Sequence, residues 1–156
     1  MTSTPITTER STQVPVTPAA TATVLGTLAF TALGTFADGA NGASHGVMEF
    51  LVIVAIVVAV AALMFLFVVP RALRSGHTAN LGLGLAIAAL PFVLVFWSGI
   101  APLLAVSGML LGSAARRTGE GPGKGAAAVG LGALALLGYV AIYVSDWMAT
   151  NNVAGM

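Results

Sequence analysis

The chain has 156 residues, of which 58% are hydrophobic and only 7% are charged, and its mean hydropathy is +0.99. A water-soluble domain carries roughly 25% charged residues, so this composition excludes an ordinary soluble fold. The net charge of +1 is too small to indicate nucleic-acid binding or strong attraction to an anionic membrane surface. Because the chain has no cysteine, disulfides, thiolate metal sites and a cysteine nucleophile are excluded.

The amino-terminal part of the chain divides into a polar tail and a first candidate span. Residues 1–18 are rich in Thr, Ser and Pro and are predicted to form a disordered cytoplasmic tail. Residues 19–37 are just long enough to cross a membrane. Their threonines recur every four residues and therefore share one helix face, at Thr23, Thr27, Thr31 and Thr35. Because hydroxyls bond carbonyls of their own or a neighbouring helix, this threonine stripe is expected to face protein rather than lipid.

The first candidate span has a second interpretation, as a secretory signal peptide. Arg10, an apolar run and small residues ending at Ala37 are the parts of such a signal and its cleavage site. The region before the apolar run is long, however, and holds only one basic residue. A retained first helix is therefore the preferred prediction, and cleavage before Asp38 stays open.

The most apolar stretch is residues 47–69, which follow a Gly/Asn/Ser turn at 38–46. It carries a single charged residue, Glu49, near its start. Lipid cannot satisfy backbone N–H and C=O groups, so a run this long and apolar is predicted to form a transmembrane helix. Pro70 is expected to end that helix, and a short basic loop at 71–78 follows.

The apolar region 79–115 is too long for one span and is divided into two, at about 79–97 and 100–115. The break is placed at Trp97-Ser98-Gly99. Pro91 lies inside the first of these spans, where it removes a backbone hydrogen bond and is expected to bend the helix. The rest of the chain is assigned to a flexible polar loop, a last span and a short external tail, at 116–124, 125–147 and 148–156.

Charge placement favours an all-α, polytopic transmembrane helix bundle with five spans, covering 19–147. With the amino terminus in the cytoplasm, all six basic residues lie on the inner side: Arg10, Arg71, Arg74, Arg116, Arg117 and Lys124. The outer segments hold only acidic charges, at Asp38, Glu49 and Asp146. This is the distribution that the positive-inside rule predicts for a multi-pass protein of the inner (plasma) membrane. The carboxyl terminus is then external.

Four ionisable residues are predicted to lie near the outer surface as a candidate polar cluster: Asp38, His45, Glu49 and Asp146. Ionisable groups at membrane depth are functional candidates by default, and such a cluster could hold a cation. Glu49 also has a simpler explanation, because a carboxylate in the first turns of a helix reaches water and favours the helix N-terminus. The interfacial interpretation is the preferred one for Glu49.

Motifs with known chemistry are incomplete or missing from this sequence. The Gly-rich loop at 119–125 lacks the first glycine and the Ser or Thr of a phosphate-binding loop, so it is predicted to be a flexible turn. No GxSxG or HExxH motif occurs, so hydrolase and metalloprotease interpretations lack their residues.

Small residues recur at helical spacing in the last two candidate spans. Gly108 and Gly112 form a GxxxG pair, and Gly130 and Gly132 lie in similar rows of the following span. Such rows let helix backbones approach closely in lipid. Because the two rows fall at the same predicted depth, the last two helices are expected to pack antiparallel with their glycines facing each other.

Residues 110–144 run from a Gly-containing helix through Gly-Ser-Ala-Ala-Arg-Arg and a Gly-rich turn into a second Gly/Ala-rich helix. This paired-helix pattern resembles that of small, uncharacterised actinobacterial multi-pass membrane proteins. The resemblance covers about the last third of the chain. It implies a membrane topology and a source, and it carries no catalytic residues to transfer.

The sequence therefore predicts a small integral membrane protein with an accessory or structural role, without catalysis of its own and without a cofactor or metal. The lipid bilayer is its expected surroundings, nucleic acid is not an expected partner, and protein partners or a homo-oligomer are left open. The alternative is a small transporter or channel component that uses the threonine stripe and the acidic outer mouth. A conducting path needs water-facing groups at mid-depth, and few are available here.

Overall fold

The described part of the chain is all-helical. A computed structural model of the protein describes residues 16–36, 46–95 and 98–153. These residues form, in order, α1 (Val16–Phe36), α2 (Gly46–Ala62), a π-helical segment (Leu63–Val68), α3 (Val69–Ser75), α4 (Thr78–Val93), α5 (Ile100–Thr118) and α6 (Pro122–Val153). The α2 helix, the π-helical segment and α3 are continuous. The all-α prediction is confirmed for the described residues.

Three helices are long and apolar enough to cross a membrane. The qualifying segments are Val16–Leu33 in α1, Phe50–Ser75 across α2 and α3, and Pro122–Ala149 in α6. The α4 helix has 16 residues, or roughly 24 Å at 1.5 Å per residue, against a hydrocarbon core of about 30 Å. The α5 helix has 19 residues, but its last turn carries two arginines. The candidate spans predicted at 79–97 and 100–115 are therefore not among these three: α4 is short, and α5 has a charged end.

The helix ends differ from the predicted spans. The α1 helix begins at Val16, inside the predicted tail, and α6 runs on to Val153, through most of the segment assigned to an external tail. The α4 helix ends at Val93, two residues after Pro91, rather than near 97. Pro91 cannot donate to the carbonyl of Ile87 one turn earlier, and beyond Val93 the chain is held by hydrogen bonds of Leu94 N–H to the Pro91 carbonyl and Val95 N–H to the Phe92 carbonyl.

The polar loop predicted at 116–124 is much shorter than expected. Only residues 119–121 separate α5 from α6. Gly119 adopts the left-handed conformation (φ 75°) that commonly ends a helix. Pro122 is the first residue of α6, where its missing N–H costs nothing because that donor has no partner within the helix.

The helix expected to end at Pro70 does not end there. It passes through a π-helical segment, and Pro70 lies directly after that segment, where the hydrogen-bond pattern of the continuous helix changes. The helix ends only at Gly76, which is left-handed with φ 67°. Arg71 and Arg74 are therefore helical residues rather than members of a loop.

The α5 helix is the centre of the fold. It packs antiparallel against both α4 and α6, which also contact each other, so these three helices form a compact bundle. A second layer, made by α1 and the continuous α2–α3 stretch, packs on another face of α5. That contact is an apolar cluster of Val57, Ala61, Phe65, Val69, Ala72, Leu103 and Leu111.

The connectors α3–α4 and α5–α6 lie together at one end of the bundle. Thr78 Oγ1 donates a hydrogen bond of 2.5 Å to Glu120 Oε2, and Lys124 Nζ donates one of 2.8 Å to Asn80 Oδ1. This end, here named the basic end, carries every Lys and Arg of the described residues: Arg71, Arg74, Arg116, Arg117 and Lys124. The α6 helix leads away from it toward Tyr143, whose hydroxyl donates to the Phe30 carbonyl of α1.

Candidate functional site

The described hydroxyls of the threonine stripe make hydrogen bonds within α1 itself. The hydroxyls of Thr23, Thr27 and Thr31 each donate to the carbonyl four residues earlier, at distances of 2.7, 2.8 and 2.9 Å. Thr27 is only 2% exposed, and its methyl group lies beside Gly99 at the start of α5. The side chain of Thr35 lies outside the described residues. The hydrogen bonds of these three hydroxyls are therefore made within α1, and the hydroxyls do not form a row of polar groups open to a ligand.

Gly112 is the point of closest approach between α5 and α6. A Cβ atom at Gly112 would lie 2.7 Å from the carbonyl oxygen of Gly125 and 2.8 Å from Cβ of Ala128. A Cβ at Gly125 would in turn lie 2.6 Å from the Gly112 carbonyl. No real Cβ sits this close to such atoms, so the two backbones meet here only because both residues are glycines.

Gly108, one turn before Gly112, faces a different helix from the one predicted. A Cβ at Gly108 would meet the backbone nitrogen of Ala86 and the carbonyl oxygen of Gly82, both at 2.9 Å. Gly82 itself lies against Gly112 and Leu111 of α5. In the GxxxG pair, Gly108 therefore faces α4 and Gly112 faces α6, so α5 lies between these two helices.

The two glycines singled out in α6 behave differently. A Cβ at Gly132 would lie 2.9 Å from the Ala105 carbonyl and 2.5 Å from Cγ of Met109, so this glycine packs on α5. Gly130 is exposed, and nothing lies within 4 Å of the place its Cβ would take. Gly130 must therefore be removed from the predicted packing row, and the side chain of Met109 takes part in the contact at Gly132.

The predicted outer polar cluster falls largely outside what the structure describes. Asp38 and His45 lie outside the described residues, and Glu49 belongs to α2 but its side chain is not described. Asp146 is on α6 and exposed. Within the described ranges, no three His, Cys, Asp or Glu side chains are grouped so as to hold a metal ion. The outer cluster stays a prediction.

One polar atom is isolated inside the bundle. Ser107 is fully buried, and its hydroxyl is the only buried side-chain polar atom of the described residues without a hydrogen-bond partner. Helical spacing puts Ser107 on the same α5 face as Leu103 and Leu111, which pack on the α2–α3 stretch. Its surroundings are apolar, so this position does not gather the polar groups that a binding site needs.

Glu120 fixes the start of α4 from a distant part of the chain. It accepts the hydroxyl hydrogen bond of Thr78 and also lies within reach of the backbone N–H groups of Thr78 and Ala79. These bonds, that from the Thr78 hydroxyl foremost, lower the pKa of the Glu120 carboxyl below its ordinary value, partly offset by desolvation. The neighbouring His77 acts in the same direction. The turn at 119–125, predicted to be flexible, is thus held by a side chain that caps another helix.

A groove of about 620 Å³ opens between α3 and α4 at the basic end. Its polar residues other than Arg71 lie within a turn of the α3–α4 connector, and its apolar residues lie a turn or more from it along the two helices. The lining consists of Val68, Arg71, Ala72, Ser75, His77, Asn80, Leu81, Gly84 and Leu85. Its volume lies within the range of about 300–1,000 Å³ typical of small-molecule sites.

The groove and Glu120 were both missed by reasoning from the sequence. Glu120 and Thr78 are 42 residues apart, so no local motif connects them. The groove depends on α3 continuing past Pro70, because only a helical Arg71 and Ser75 can line it together with α4. The one signal in the sequence is the pair of arginines that follows Pro70, and by itself it indicates only orientation.

Comparison of this chain with protein families, with curated proteins and with solved structures finds no match. The resemblance of residues 110–144 to small actinobacterial membrane proteins therefore stays a prediction.

Proposed function

We propose that this chain is a small, five-span protein of the plasma membrane with an accessory or structural role and no catalysis of its own. The amino terminus and the basic end are cytoplasmic, and the carboxyl terminus is external. Three helices with the length and composition of membrane spans support the membrane assignment. The grouping of the described Lys and Arg side chains at one end supports the orientation, because cytoplasmic segments retain such charges.

The observation that carries the accessory role is how the polar groups of the interior are used. The described threonine hydroxyls of α1 bond their own helix, and α5 packs on α4 and α6 through close glycine contacts and an apolar cluster that includes Val93, Leu104 and Tyr139. A permeation path needs side chains or carbonyls that face water at mid-depth. An interior in which the polar groups are used in this way favours an accessory or structural role over a transporter or channel.

The transporter or channel alternative makes an opposite prediction in vesicles. Purified protein is reconstituted into liposomes loaded with a pH-sensitive or potassium-sensitive dye, with protein-free liposomes as the control. The accessory role predicts ion flux equal to that of the protein-free liposomes. Flux that rises with the amount of protein would overturn the proposal and favour the transporter.

An accessory role also predicts that the chain binds another protein or further copies of itself. Purification from native membranes in mild detergent, followed by identification of bound proteins, is expected to return either one membrane protein at fixed stoichiometry or a defined homo-oligomer. A monomer that carries no bound protein under these conditions would contradict an accessory role.

The number of spans has its own alternative, because neither α4 nor α5 is among the three helices that are long and apolar enough to cross a membrane. If the α4–α5 hairpin entered and left the membrane on the cytoplasmic side, both basic connectors would remain inside and three spans would suffice. Charge placement agrees with both arrangements. The accessibility of the α4–α5 turn distinguishes them.

A further inference from the structure

We infer that the groove between α3 and α4 binds one anionic phospholipid of the cytoplasmic leaflet. The headgroup lies against Arg71 and Asn80, and an acyl chain follows the apolar wall past Gly84. This inference rests on the proposed membrane orientation, which puts the basic end at that leaflet. The groove residues themselves supply the argument for the ligand.

The groove is amphipathic along its length, as a lipid is. Ser75, His77 and Asn80 form a polar rim within a turn of the connector, and Arg71 lines the groove about one turn farther along α3. Val68, Leu81, Gly84 and Leu85 form an apolar wall that begins a turn away from the connector. A soluble anion could use the rim alone and would leave this wall without a ligand. A phospholipid matches both parts, because its acyl chain continues from its headgroup in the same direction.

The rim is built to receive negative charge. Arg71 is exposed, so its guanidinium can turn toward a phosphate, which it matches with two parallel donors. The Asn80 side-chain oxygen accepts a hydrogen bond from Lys124, which leaves the amide hydrogens of Asn80 to donate to a ligand. Lys124 adds a second positive charge beside the same rim. Basic pockets between helices on the cytoplasmic side are suited to anionic lipid headgroups.

The net charge of the chain gives no indication of this site. A total of +1 indicates little attraction to anionic lipid, yet the described Lys and Arg side chains all lie at one end. Among them, Arg71 lines the groove and Arg117 does not. These two arginines therefore provide a matched pair of variants with the same loss of charge.

Gly84 provides a second, steric pair. It is an exposed helical residue on the groove wall, and nothing lies within 4 Å of the place its Cβ would take. A leucine there would fill the groove without meeting another helix. Gly130 is equally exposed and open but lies on α6, away from the groove. Gly130→Leu therefore controls for the change in helix propensity and surface.

The experiment measures lipid retained by the purified, delipidated full chain in detergent, by native mass spectrometry. The probes are dioleoylphosphatidylglycerol, which is anionic, and dioleoylphosphatidylcholine, which is zwitterionic with the same acyl chains. Glycerol 3-phosphate is the competitor that has the headgroup chemistry without an acyl chain. Circular dichroism of each variant verifies that it is folded.

The wild type is expected to retain one phosphatidylglycerol in preference to phosphatidylcholine. Arg71→Gln should lower that retention about fivefold, the effect of one cation beside an anionic leaflet, while Arg117→Gln should leave it unchanged. Gly84→Leu should abolish retention of the single bound lipid, and Gly130→Leu should preserve it. Glycerol 3-phosphate should fail to displace the lipid.

Three results would overturn the lipid site. These are equal losses for Arg71→Gln and Arg117→Gln, retention unaffected by Gly84→Leu, or displacement of the lipid by glycerol 3-phosphate. Failure here leaves the vesicle flux test untouched, since a protein without a lipid site can still be a silent scaffold. If the protein instead conducts ions in the flux test but still retains the lipid, the accessory role is wrong and the lipid site stands.

Discussion

The two layers of this molecule are held together by different kinds of contact. In the bundle of α4, α5 and α6, glycines bring backbones together, as at Gly112 and Gly125. In the layer of α1 and α2–α3, large side chains such as Phe65 and Val57 make the contact, and the outward face is covered with exposed apolar side chains. Lipid is as apolar as these side chains, so burying them gains little hydrophobic free energy. The bundle also has an apolar cluster around Leu104 and Tyr139, so what distinguishes it from the outer layer is the close glycine contacts that it has in addition.

The largest expected effect comes from breaking the glycine contact. Gly112→Leu should destabilise the bundle by the upper part of the range of about 1–3 kcal/mol for overpacking, because the clashing atoms are backbone and Cβ atoms that cannot rotate away. Gly130→Leu should cost nothing, since its Cβ meets open space. Unfolding of each variant in detergent, followed by circular dichroism, checks the pair. Equal stability of the two variants would show that α5 and α6 do not meet at Gly112.

A smaller effect is expected when a large side chain is removed from the other layer. Phe65 is 7% exposed and Phe67 is 68% exposed, so the same change can be made inside and outside the contact. Phe65→Ala should cost about 1–2 kcal/mol, less than in a soluble core, because lipid removes most of the transfer term and leaves the cavity term. Phe67→Ala should be neutral in the same unfolding assay. A Phe65→Ala cost above that of Gly112→Leu would reverse the comparison between the layers.

The smallest effect concerns the cap that Glu120 provides at the basic end. Its carboxyl pKa is lowered in the fold, so the ionised form stabilises the protein above the ordinary carboxyl pKa, and this contribution is lost as the pH falls from there through the lowered pKa of the folded protein. The wild type should therefore be more stable than Glu120→Gln at neutral pH. The difference should disappear in acid, when Glu120 is protonated. A constant difference between pH 7 and pH 3 in thermal unfolding would contradict the cap.

Much of the architecture was readable from the sequence, and the reasons are local. The apolar run at 47–69 predicts a helix, and the positive charges that follow it predict on which side of a membrane that helix ends, whatever the rest of the chain does. The continuation of the helix through Pro70 was not readable, because it depends on a π-helical segment that packs Phe65 onto α5. Proline alone gives no signal of which outcome applies.

The sequence predicts which glycines of α5 lie in packing contacts but not which helix each of them contacts. Gly108 and Gly112 were expected to face one helix, but α5 has a neighbour on each side, and its two glycines are divided between α4 and α6. Spacing identifies which residues share a face but not how a helix is rotated toward its neighbours. Gly130 and Gly132 are only two residues apart and point to opposite environments.

The most direct test of the whole account is which side of the membrane the α4–α5 turn reaches. The chain has no cysteine, so Leu94→Cys and Ser98→Cys in the turn, and Ser75→Cys at the basic end, each carry a single thiol. Right-side-out and inside-out vesicles are labelled with a membrane-impermeant maleimide. The five-span account predicts that the turn thiols react only from outside and the Ser75→Cys thiol only from inside. Reaction of the Ser75→Cys thiol from outside would reverse the orientation, and turn thiols that never react from outside would contradict five spans.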